Sequence, residues 1–477
     1  MNGCGLFRLA GRTAGDPPEW TGGQGDQAKM TGITENTARM IVAFEGGAVP
    51  EDAVSRAKMA VLDTVGVALA GSQAPVGKIM RAWATNMPAG GEATIWGTDL
   101  KVSACDAALV NGTMAHALDY DDMNRPMLGH PSAVLVPTIF AVVEKMQASG
   151  RKLLEGYIIG LDVMARLGKL FGPRAYEKSW HPTSIFGVMG ACASACYLLR
   201  LSYEQTLNAI GIAASEASGI KKNFGSMTKP LHVGSAARNG IWAAQLAEKG
   251  LTADAQSLDG TFGFIEMFKG EPYDPKTVND FDGPLEIMAS GLIFKQYPCC
   301  GSIHPLLDGI LDLRQKRKIR TAQVEEIECR VNPHRITYLD RPQVRDGLDA
   351  KFSIQYCVAT ALLDGKVVFN HFLDENVMRA ETQNLMKKIR ITTRQDLGEF
   401  ATEVIVRTLD GNEFVSTVSE AKGSPNFPLS EGELLQKFVD CALKTMDGSQ
   451  AQKAGRLLLN IDRENNLGTI MKSLCSQ

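Results

Sequence analysis

A cluster of acidic side chains stands at the end of an apolar, small-residue segment of the chain. Asp119, Asp121 and Asp122 follow residues 111–118, where a structural helix would normally carry Lys or Arg to complement its dipole. On a helix, the spacing puts Asp119 and Asp122 on one face, with Asp121 pointing away from it. One or two of the carboxylates could then serve as a base in a cavity. Alternatively, the three aspartates could form a polar helix end in water or bind a metal ion. Metal binding is less favoured, because the neighbouring residues do not supply the remaining ligands of a metal site.

Three short motifs place a titratable or cationic residue immediately before a proline. They are His130-Pro131-Ser132, His181-Pro182-Thr183-Ser184 and Lys229-Pro230-Leu231-His232. Proline is favoured in the first turn of a helix, and helix N-termini attract anionic oxygens, so the preceding residues are suited to binding carboxylates. Each motif alone is more typical of a structural helix start. Together with the acidic cluster, the three motifs favour a functional site.

Metal and cofactor signatures are missing from the sequence. Cys299 and Cys300 with His304 form an incomplete zinc set, and the glycine-rich fragment at 23–28 has no preceding strand. The chain has no P-loop and no HExxH motif. We therefore expect catalysis by side chains alone, with no metal and no cofactor.

Composition limits the choice of partners. The 477 residues include 50 Lys+Arg and 53 Asp+Glu, a net charge of −3 that disfavours nucleic acid or an anionic membrane as partner. Ten scattered cysteines suggest a reducing, cytoplasmic location. The most apolar stretch, 184–199, is rich in small residues. It is predicted to form a buried helix and not to span a membrane. A small molecule or another protein is the expected partner.

The pattern of apolar residues predicts a mainly α protein with several parts. Residues 1–32 are expected to be a disordered extension without a targeting signal. Residues 33–290 show helical spacing almost throughout, which predicts a large all-helical domain. Helical stripes cover 132–149, 152–170, 184–199, 203–218 and 230–249.

The pattern changes in the last third of the chain. Residues 291–420 contain a helix from Pro305 and alternating segments, including 404–408 and 414–418 joined across Asp410-Gly411, which predict a smaller α+β lid domain. Further strands are expected at 327–331 and 388–393. Ser430 and Glu433 form a capping box, so residues 421–477 are predicted to return to the helical domain as helices.

The motifs in their order resemble the MmgE/PrpD family over residues 33–470. The segments that carry the resemblance are Leu62-Asp63-Thr64-Val65-Gly66, Asn111-Gly112, His116, Asp119-Tyr120-Asp121-Asp122, Gly129-His130-Pro131-Ser132, Trp180-His181-Pro182-Thr183-Ser184, Thr228-Lys229-Pro230-Leu231-His232 and Tyr338-Leu339-Asp340-Arg341-Pro342. The family includes 2-methylcitrate dehydratases, cis-aconitate decarboxylases and iminodisuccinate epimerase. The resemblance implies a helical domain with an α+β lid, a homodimer, no required cofactor and a small carboxylate substrate.

The resemblance also implies which side chains form the site. The catalytic set implied is Asp119, His130, His181, Lys229 and Tyr338. Substrate carboxylates are expected to be bound by Lys229, His130, His232 and Arg238. Removing a proton from a carbon next to a carboxylate creates negative charge. Cations near that carbon stabilise this charge, and an acid–base pair transfers the proton.

Three outcomes stay open for the reaction. Segments 180–184, 219–230 and 234–240 look most like the iminodisuccinate epimerase, so epimerisation is the leading expectation. Asp119-Tyr120-Asp121-Asp122 departs from the pattern of 2-methylcitrate dehydratases, and Met123 and Cys300 depart from the vertebrate decarboxylases. A lyase of either kind is the alternative, and a catalytically silent homologue is the third possibility.

Overall fold

The computed structural model describes residues 32–88, 90–270, 283–398 and 400–475. The expected disordered extension, apart from residue 32, and the glycine-rich fragment at 23–28 lie outside the described residues. One described helix, Pro182–Leu199, has the length and composition of a membrane span, and 89% of it is buried within the protein. That burial agrees with the predicted core helix.

The first part of the described chain is mostly helical. Its helices are α1 (Ile33–Ala43), α2 (Glu51–Gly71), α3 (Pro75–Ala84), α4 (Ala104–His116), α5 (Pro131–Met146), α6 (Gly150–Phe171), α7 (Arg174–Glu177), α8 (Pro182–Leu199), α9 (Tyr203–Ser215), α10 (Thr228–Glu248), α11 (Phe264–Lys269) and α12 (Glu286–Ala289). A short antiparallel ladder joins β1 (Ala93–Thr94) to β2 (Lys101–Val102). The mainly α class is therefore confirmed, although this part is not all-helical as predicted.

The next part combines a four-stranded sheet with short helices. The strands are β3 (Val324–Val331), β4 (Ile389–Thr393), β5 (Thr402–Thr408) and β6 (Glu413–Val418). The helices are α13 (His304–Arg317), α14 (Pro333–Leu339), α15 (Gly347–Ala350), α16 (Ile354–Asp364), α17 (Asp374–Val377) and α18 (Ala380–Met386). The sheet order is β4-β3-β5-β6, with β3 and β4 parallel and the other pairs antiparallel. The strands and the hairpin predicted from alternation are confirmed.

The chain ends in helices α19 (Glu431–Ala442), α20 (Gly448–Leu459) and α21 (Gly468–Leu474). The capping box predicted at Ser430 and Glu433 is present at the start of α19. Helix α19 packs against α2, where Phe438 lies over Gly66. The C-terminal helices therefore share a core with the first helices of the chain.

Two large hydrophobic clusters and one small cluster, of Val67, Ala70 and Cys441, occupy the interior of the described chain. The first large cluster gathers apolar side chains from residues 33–294 and 429–474, and the second gathers those from residues 297–406. The second cluster lies under the four-stranded sheet. Its residues fall within the expected α+β segment, and a separate lid domain at 291–420 stays a prediction.

Close contact between α4 and α10 brings their ends together. A Cβ added at Gly234 would lie 2.1 Å from the backbone oxygen of Leu109, and one at Gly112 would lie 2.9 Å from the Cα of Gly234. Only glycine permits such an approach, because any side chain would separate the two backbones. The crossing fixes the position of the residues at the C-terminal end of α4 and the N-terminal end of α10.

Candidate active site

The ends of α4, α5, α8 and α10 meet and carry most of the predicted site residues. Helix α4 ends at His116, and His130 and His181 are the N-cap residues of α5 and α8, each followed by a proline. Lys229 lies in the first turn of α10, not before it as predicted. The ring centroid of His116 is 4.6 Å from that of His130 and 5.8 Å from that of His181. The three proline motifs thus converge on one point.

The acidic cluster does not lie on a helix, which corrects the sequence prediction. Helix α4 ends before it, and Asp119 has a φ of 52°, in the left-handed region. Asp119, Asp121 and Asp122 are all buried, so none is solvated. The local pattern could not show this, because each carboxylate is fixed by a different partner, and the lysine partners of Asp119 come from distant parts of the chain.

Asp119 is held between two lysine side chains. Its Oδ1 lies 2.6 Å from the Nζ of Lys229, and its Oδ2 lies 3.1 Å from the Nζ of Lys295. Burial alone would raise the pKa of Asp119, but Lys229 and Lys295 together hold it well below its usual value. Burial likewise opposes the charge on Lys295, whose pKa is nevertheless raised by Asp119 and Asp121. Asp119 is therefore ionised and holds the ammonium groups of Lys229 and Lys295 in place.

Asp121 lies against two imidazoles. The Nδ1 of His116 is 2.9 Å from Oδ2 of Asp121, and the Nδ1 of His130 is 3.1 Å from the same oxygen. Despite burial, both histidines keep the pKa of Asp121 well below its usual value. Burial lowers the pKa of His116 to about 4 and lowers that of His130 as well. With this lowered pKa, His116 is neutral near pH 7. Because an ionised carboxylate only accepts hydrogen bonds, the ring carries its proton on Nδ1, and its Nε2 is free to act as a base.

Asp122 has a structural role. It accepts hydrogen bonds from the backbone N–H and the hydroxyl of Ser132, which lies in the first turn of α5. Burial raises the pKa of Asp122 to about 8, although Ser132 opposes the shift. The carboxyl is thus mostly protonated at neutral pH and stabilises the start of α5.

His181 pairs with His232 rather than with a carboxylate. Their Nδ1 atoms are 3.2 Å apart, so one ring donates a proton to the other. Burial lowers the pKa of both rings, most strongly for His181. Four of the chain's seven histidines thus form a continuous neutral array from His232 through His181 and His116 to His130.

Three buried lysines fix the backbone of the acidic segment. Each donates a hydrogen bond to one of three consecutive carbonyls, Lys351 to Leu118, Lys295 to Asp119 and Lys437 to Tyr120. Lys437 also forms an ion pair of 2.7 Å with Asp63. Burial lowers the pKa of Lys351 to about 8, although Asp119 opposes the shift. These contacts hold the left-handed conformation of Asp119 in place.

The sequence interpretation missed His116, Lys295 and Lys351 as site residues, and it had Asp121 pointing away from the other two aspartates. A weak signal was present for the lysines, which interrupt apolar segments. Lys295 follows Leu-Ile-Phe and Lys437 lies on the buried face of α19. A lysine on a buried face must find an acceptor, but the sequence does not identify which one.

Tyr338 borders this cluster, whereas Arg238 does not. The hydroxyl of Tyr338 is 3.2 Å from that of Ser302, and its ring is 5.9 Å from the ring of Tyr176. Phe224 connects this side to the histidines, since its ring is 6.3 Å from Tyr176 and 4.9 Å from His181. Arg238 is exposed further along α10, outside the histidine cluster, and its role in substrate binding stays a prediction.

One group among the described side chains could hold a metal ion. It consists of His116, Asp121 and His130, whose ligand atoms lie within 4.8 Å of one another. Metal binding would displace the proton that His116 shares with Asp121. His304, by contrast, contacts the carbonyl oxygen of Cys299 at 3.3 Å, where it is tied to the backbone. Metal independence stays a prediction.

Fold and site together define a class of protein: mainly helical, with buried lysines, ionised aspartates and neutral histidines at converging helix ends. The chain belongs to the MmgE/PrpD family. Its residues 35–276 match the MmgE/PrpD N-terminal domain and residues 297–463 match the C-terminal domain. The family resemblance stated from the motifs is thereby confirmed.

Curated relatives extend over most of the chain. Human cis-aconitate decarboxylase is 29% identical over 91% of this chain and 92% of its own length. The Aspergillus terreus cis-aconitate decarboxylase is 23% identical over 94% and 97%. A Saccharomyces cerevisiae protein named "Probable 2-methylcitrate dehydratase" is 23% identical over 71% and 69%. These relatives are named as lyases, which supports the lyase alternative better than the epimerase expectation.

Proposed function

We propose that the protein is a lyase that acts on a small di- or tricarboxylate by proton transfer at a carbon next to a carboxylate. Cis-aconitate is the first substrate to test. The observation that carries the proposal is the ionised Asp119, held between Lys229 and Lys295, beside neutral histidines. The names of the relatives support cleavage of a carbon–carbon or carbon–oxygen bond over epimerisation.

In this proposal, His130 exchanges the proton with the substrate. Of the two rings beside Asp121, that of His130 is the more accessible, with 11% of its side chain exposed against none for His116. Asp121 accepts a hydrogen bond from Nδ1 of His116, and its negative charge 3.1 Å from Nδ1 of His130 favours a proton on that atom and a free Nε2. Neutral imidazole can take up a proton from carbon, and the resulting imidazolium can return it.

The buried lysines supply the positive charge that the reaction needs. Lys229, Lys295 and Lys351 face two ionised aspartates, 119 and 121, so the site keeps an excess of positive charge while the histidines are neutral. A polycarboxylate is attracted to such a site, and an enediolate-like intermediate is stabilised there. The hydroxyl of Tyr338 offers a further hydrogen-bond donor at the edge of the candidate site.

The same machinery serves each lyase outcome. In decarboxylation of cis-aconitate, the carbon–carbon bond to a carboxylate breaks, its electrons shift into the allylic system, carbon dioxide leaves and a carbon takes up a proton from Nε2 of His130, which solvent must protonate before the step. In dehydration, a base removes the proton and an acid protonates the departing hydroxyl. The substrate's substituents decide between the two.

The test is a substrate screen by proton NMR with cis-aconitate, 2-methylcitrate, citrate and iminodisuccinate. We expect turnover of a tricarboxylate with bond cleavage. Lys229→Met should reduce the rate about 30- to 1000-fold, because a charge-assisted contact in an enclosed site contributes on the order of 2–4 kcal/mol. Lys249→Met, at the exposed end of the same helix, is the control and should not change it. Epimerisation without cleavage would contradict the lyase proposal, and inertness toward all four compounds would favour the silent homologue.

A homodimer and a cytoplasmic location remain proposals that accompany this function. Exposed apolar side chains such as Trp242, Met227 and Ile220, 41–49% accessible, are compatible with a subunit contact. Light scattering at micromolar concentration should report twice the chain mass. The mass of a single chain under those conditions would contradict the proposed homodimer.

A further inference from the structure

Lys221 projects its ammonium group toward the tyrosine side of the site. It begins a short 3-10 turn, Lys221–Asn223, on the segment between α9 and α10. Its Nζ lies 3.4 Å from the ring centroid of Tyr176 and 5.7 Å from that of Tyr338. A cation over an aromatic face is attracted by the ring's electrons, which fixes the ammonium in this position.

The charge of Lys221 is not compensated by an anion. Among the residues that the structure describes, no carboxylate lies within 4.0 Å of its Nζ, and no side-chain acceptor bonds to it. The side chain is half-buried, and burial lowers its pKa without an opposing partner. A partly desolvated ammonium without a counter-ion is costly, so an anionic ligand that contacts it gains the compensation that the protein does not provide.

Lys221 and Lys229 lie over two neighbouring aromatic rings, Tyr176 and Phe224. The Nζ of Lys229 is 5.3 Å from the ring centroid of Phe224, and the Phe224 ring is 6.3 Å from the Tyr176 ring on which Lys221 rests. Lys229 is already paired with Asp119 at 2.6 Å. Lys221, unlike Lys229, therefore has a positive charge available to bind a second carboxylate of the ligand.

We propose that Lys221 binds a substrate carboxylate remote from the reacting carbon and thereby selects tricarboxylates over dicarboxylates. This inference rests on the proposed function, because it assigns a substrate class to the same site. The structure supports it through the position of Lys221 beside Tyr338 and through its missing counter-ion. Lys221 is thus a specificity-determining residue, and the proton transfer itself is assigned to other groups.

The test compares two unreactive ligands that differ by one carboxylate, propane-1,2,3-tricarboxylate and glutarate, by isothermal titration calorimetry. The full chain is used in wild type, Lys221→Met, Lys221→Arg and Lys222→Met. Lys222 is the matched control, because it is the adjacent lysine and is exposed. We expect Lys221→Met to weaken tricarboxylate binding about tenfold, typical of one charge-assisted contact in a partly solvated place, and to leave glutarate binding unchanged. Lys221→Arg should retain most of the tricarboxylate affinity.

The outcomes separate this inference from the proposed function. If the wild type converts a polycarboxylate but Lys221→Met binds both ligands as Lys222→Met does, the role of Lys221 is overturned and the function stands. Equal weakening for both ligands also overturns it, because selectivity is then absent. If the wild type binds neither ligand and converts no polycarboxylate, both proposals fail.

Discussion

At the scale of single residues, Asp121 determines what the histidines can do. It lies 2.9 Å from the Nδ1 of His116 and 3.1 Å from that of His130. Since an ionised carboxylate accepts protons in hydrogen bonds and never donates them, it selects the imidazole form with a free Nε2. In the proposed function, Asp121 prepares His130 for proton transfer without contacting the substrate, which would make it a positioning residue.

Replacing Asp121 with Asn should remove this control. The amide can donate to Nδ1 and so stabilise the opposite tautomer, and we expect a loss of about 100- to 10,000-fold in turnover, the usual contribution of a positioned acid or base. Asp122→Asn is the matched control, because the Asp122 carboxyl is mostly protonated already. Steady-state rates on the substrate found in the screen provide the measurement. Equal losses in the two variants would argue against the tautomer mechanism.

The pKa of His116 also predicts how stability depends on pH. Its value is about 4 in the folded protein and about 6.5 when unfolded, so the unfolded chain binds the proton first as the pH falls. The folded state therefore loses on the order of 3 kcal/mol from this residue between pH 6.5 and 4. Urea unfolding at pH 7 and 4.5 should show a smaller pH effect in His116→Gln than in wild type. An identical pH effect would contradict the assigned shift.

At the scale of elements, the acidic segment between α4 and α5 owes its shape to distant lysines. Lys351 donates to the carbonyl of Leu118, immediately before Asp119 with its φ of 52°. A non-glycine residue rarely adopts such a conformation unless its surroundings enforce it. The segment that carries Lys351, between α15 and α16, thus acts on the Asp119 carboxylate through the backbone.

Lys351→Met should therefore lower kcat more than it changes KM. Losing a hydrogen bond from a charged group costs about 1.5–3 kcal/mol, so we expect a fall of about 10- to 100-fold in kcat if Asp119 is displaced. Lys351→Arg should restore part of the rate, and exposed Lys366→Met is the control. A Lys351→Met protein that is less stable but has normal kcat would show that the contact serves the fold alone.

The crossing of α4 and α10 offers a second test at this scale. Alanine at Gly234 would put its Cβ 2.1 Å from the oxygen of Leu109, and overpacking of this kind costs about 1–3 kcal/mol. Gly432→Ala in α19 is the control, since nothing lies within 4 Å of its Cβ position. Urea unfolding should show a loss of stability in the first variant and none in the second. Equal stability of both variants would contradict the close approach.

Local pattern predicted the elements well and the site only in part. The helix starts at Pro131 and Pro182, the hairpin at Asp410-Gly411 and the capping box at Ser430 all depend on neighbours in the sequence, and they are confirmed. The environment of Asp119 depends on Lys295, 176 residues away. Contacts over such separations leave no periodic signal, so the partners of the acidic segment could not be identified from one sequence.

At the scale of the whole molecule, the site draws on both large hydrophobic clusters. The histidines and Lys229 come from the mostly helical part, whereas Tyr338 and Lys351 come from the part that surrounds the sheet. Neither part alone holds the complete set of charges. The proposed chemistry therefore needs side chains from both parts.

The most direct test of that chemistry is the fate of cis-aconitate in deuterated water, after exhaustive chelation of metals and followed by NMR. We expect release of carbon dioxide and a C5 dicarboxylate product that carries one deuterium from solvent. Asp121→Asn and Lys229→Met should suppress both signals. Turnover that disappears on chelation and returns with added metal, or a product without solvent deuterium, would contradict proton transfer by the side chains alone.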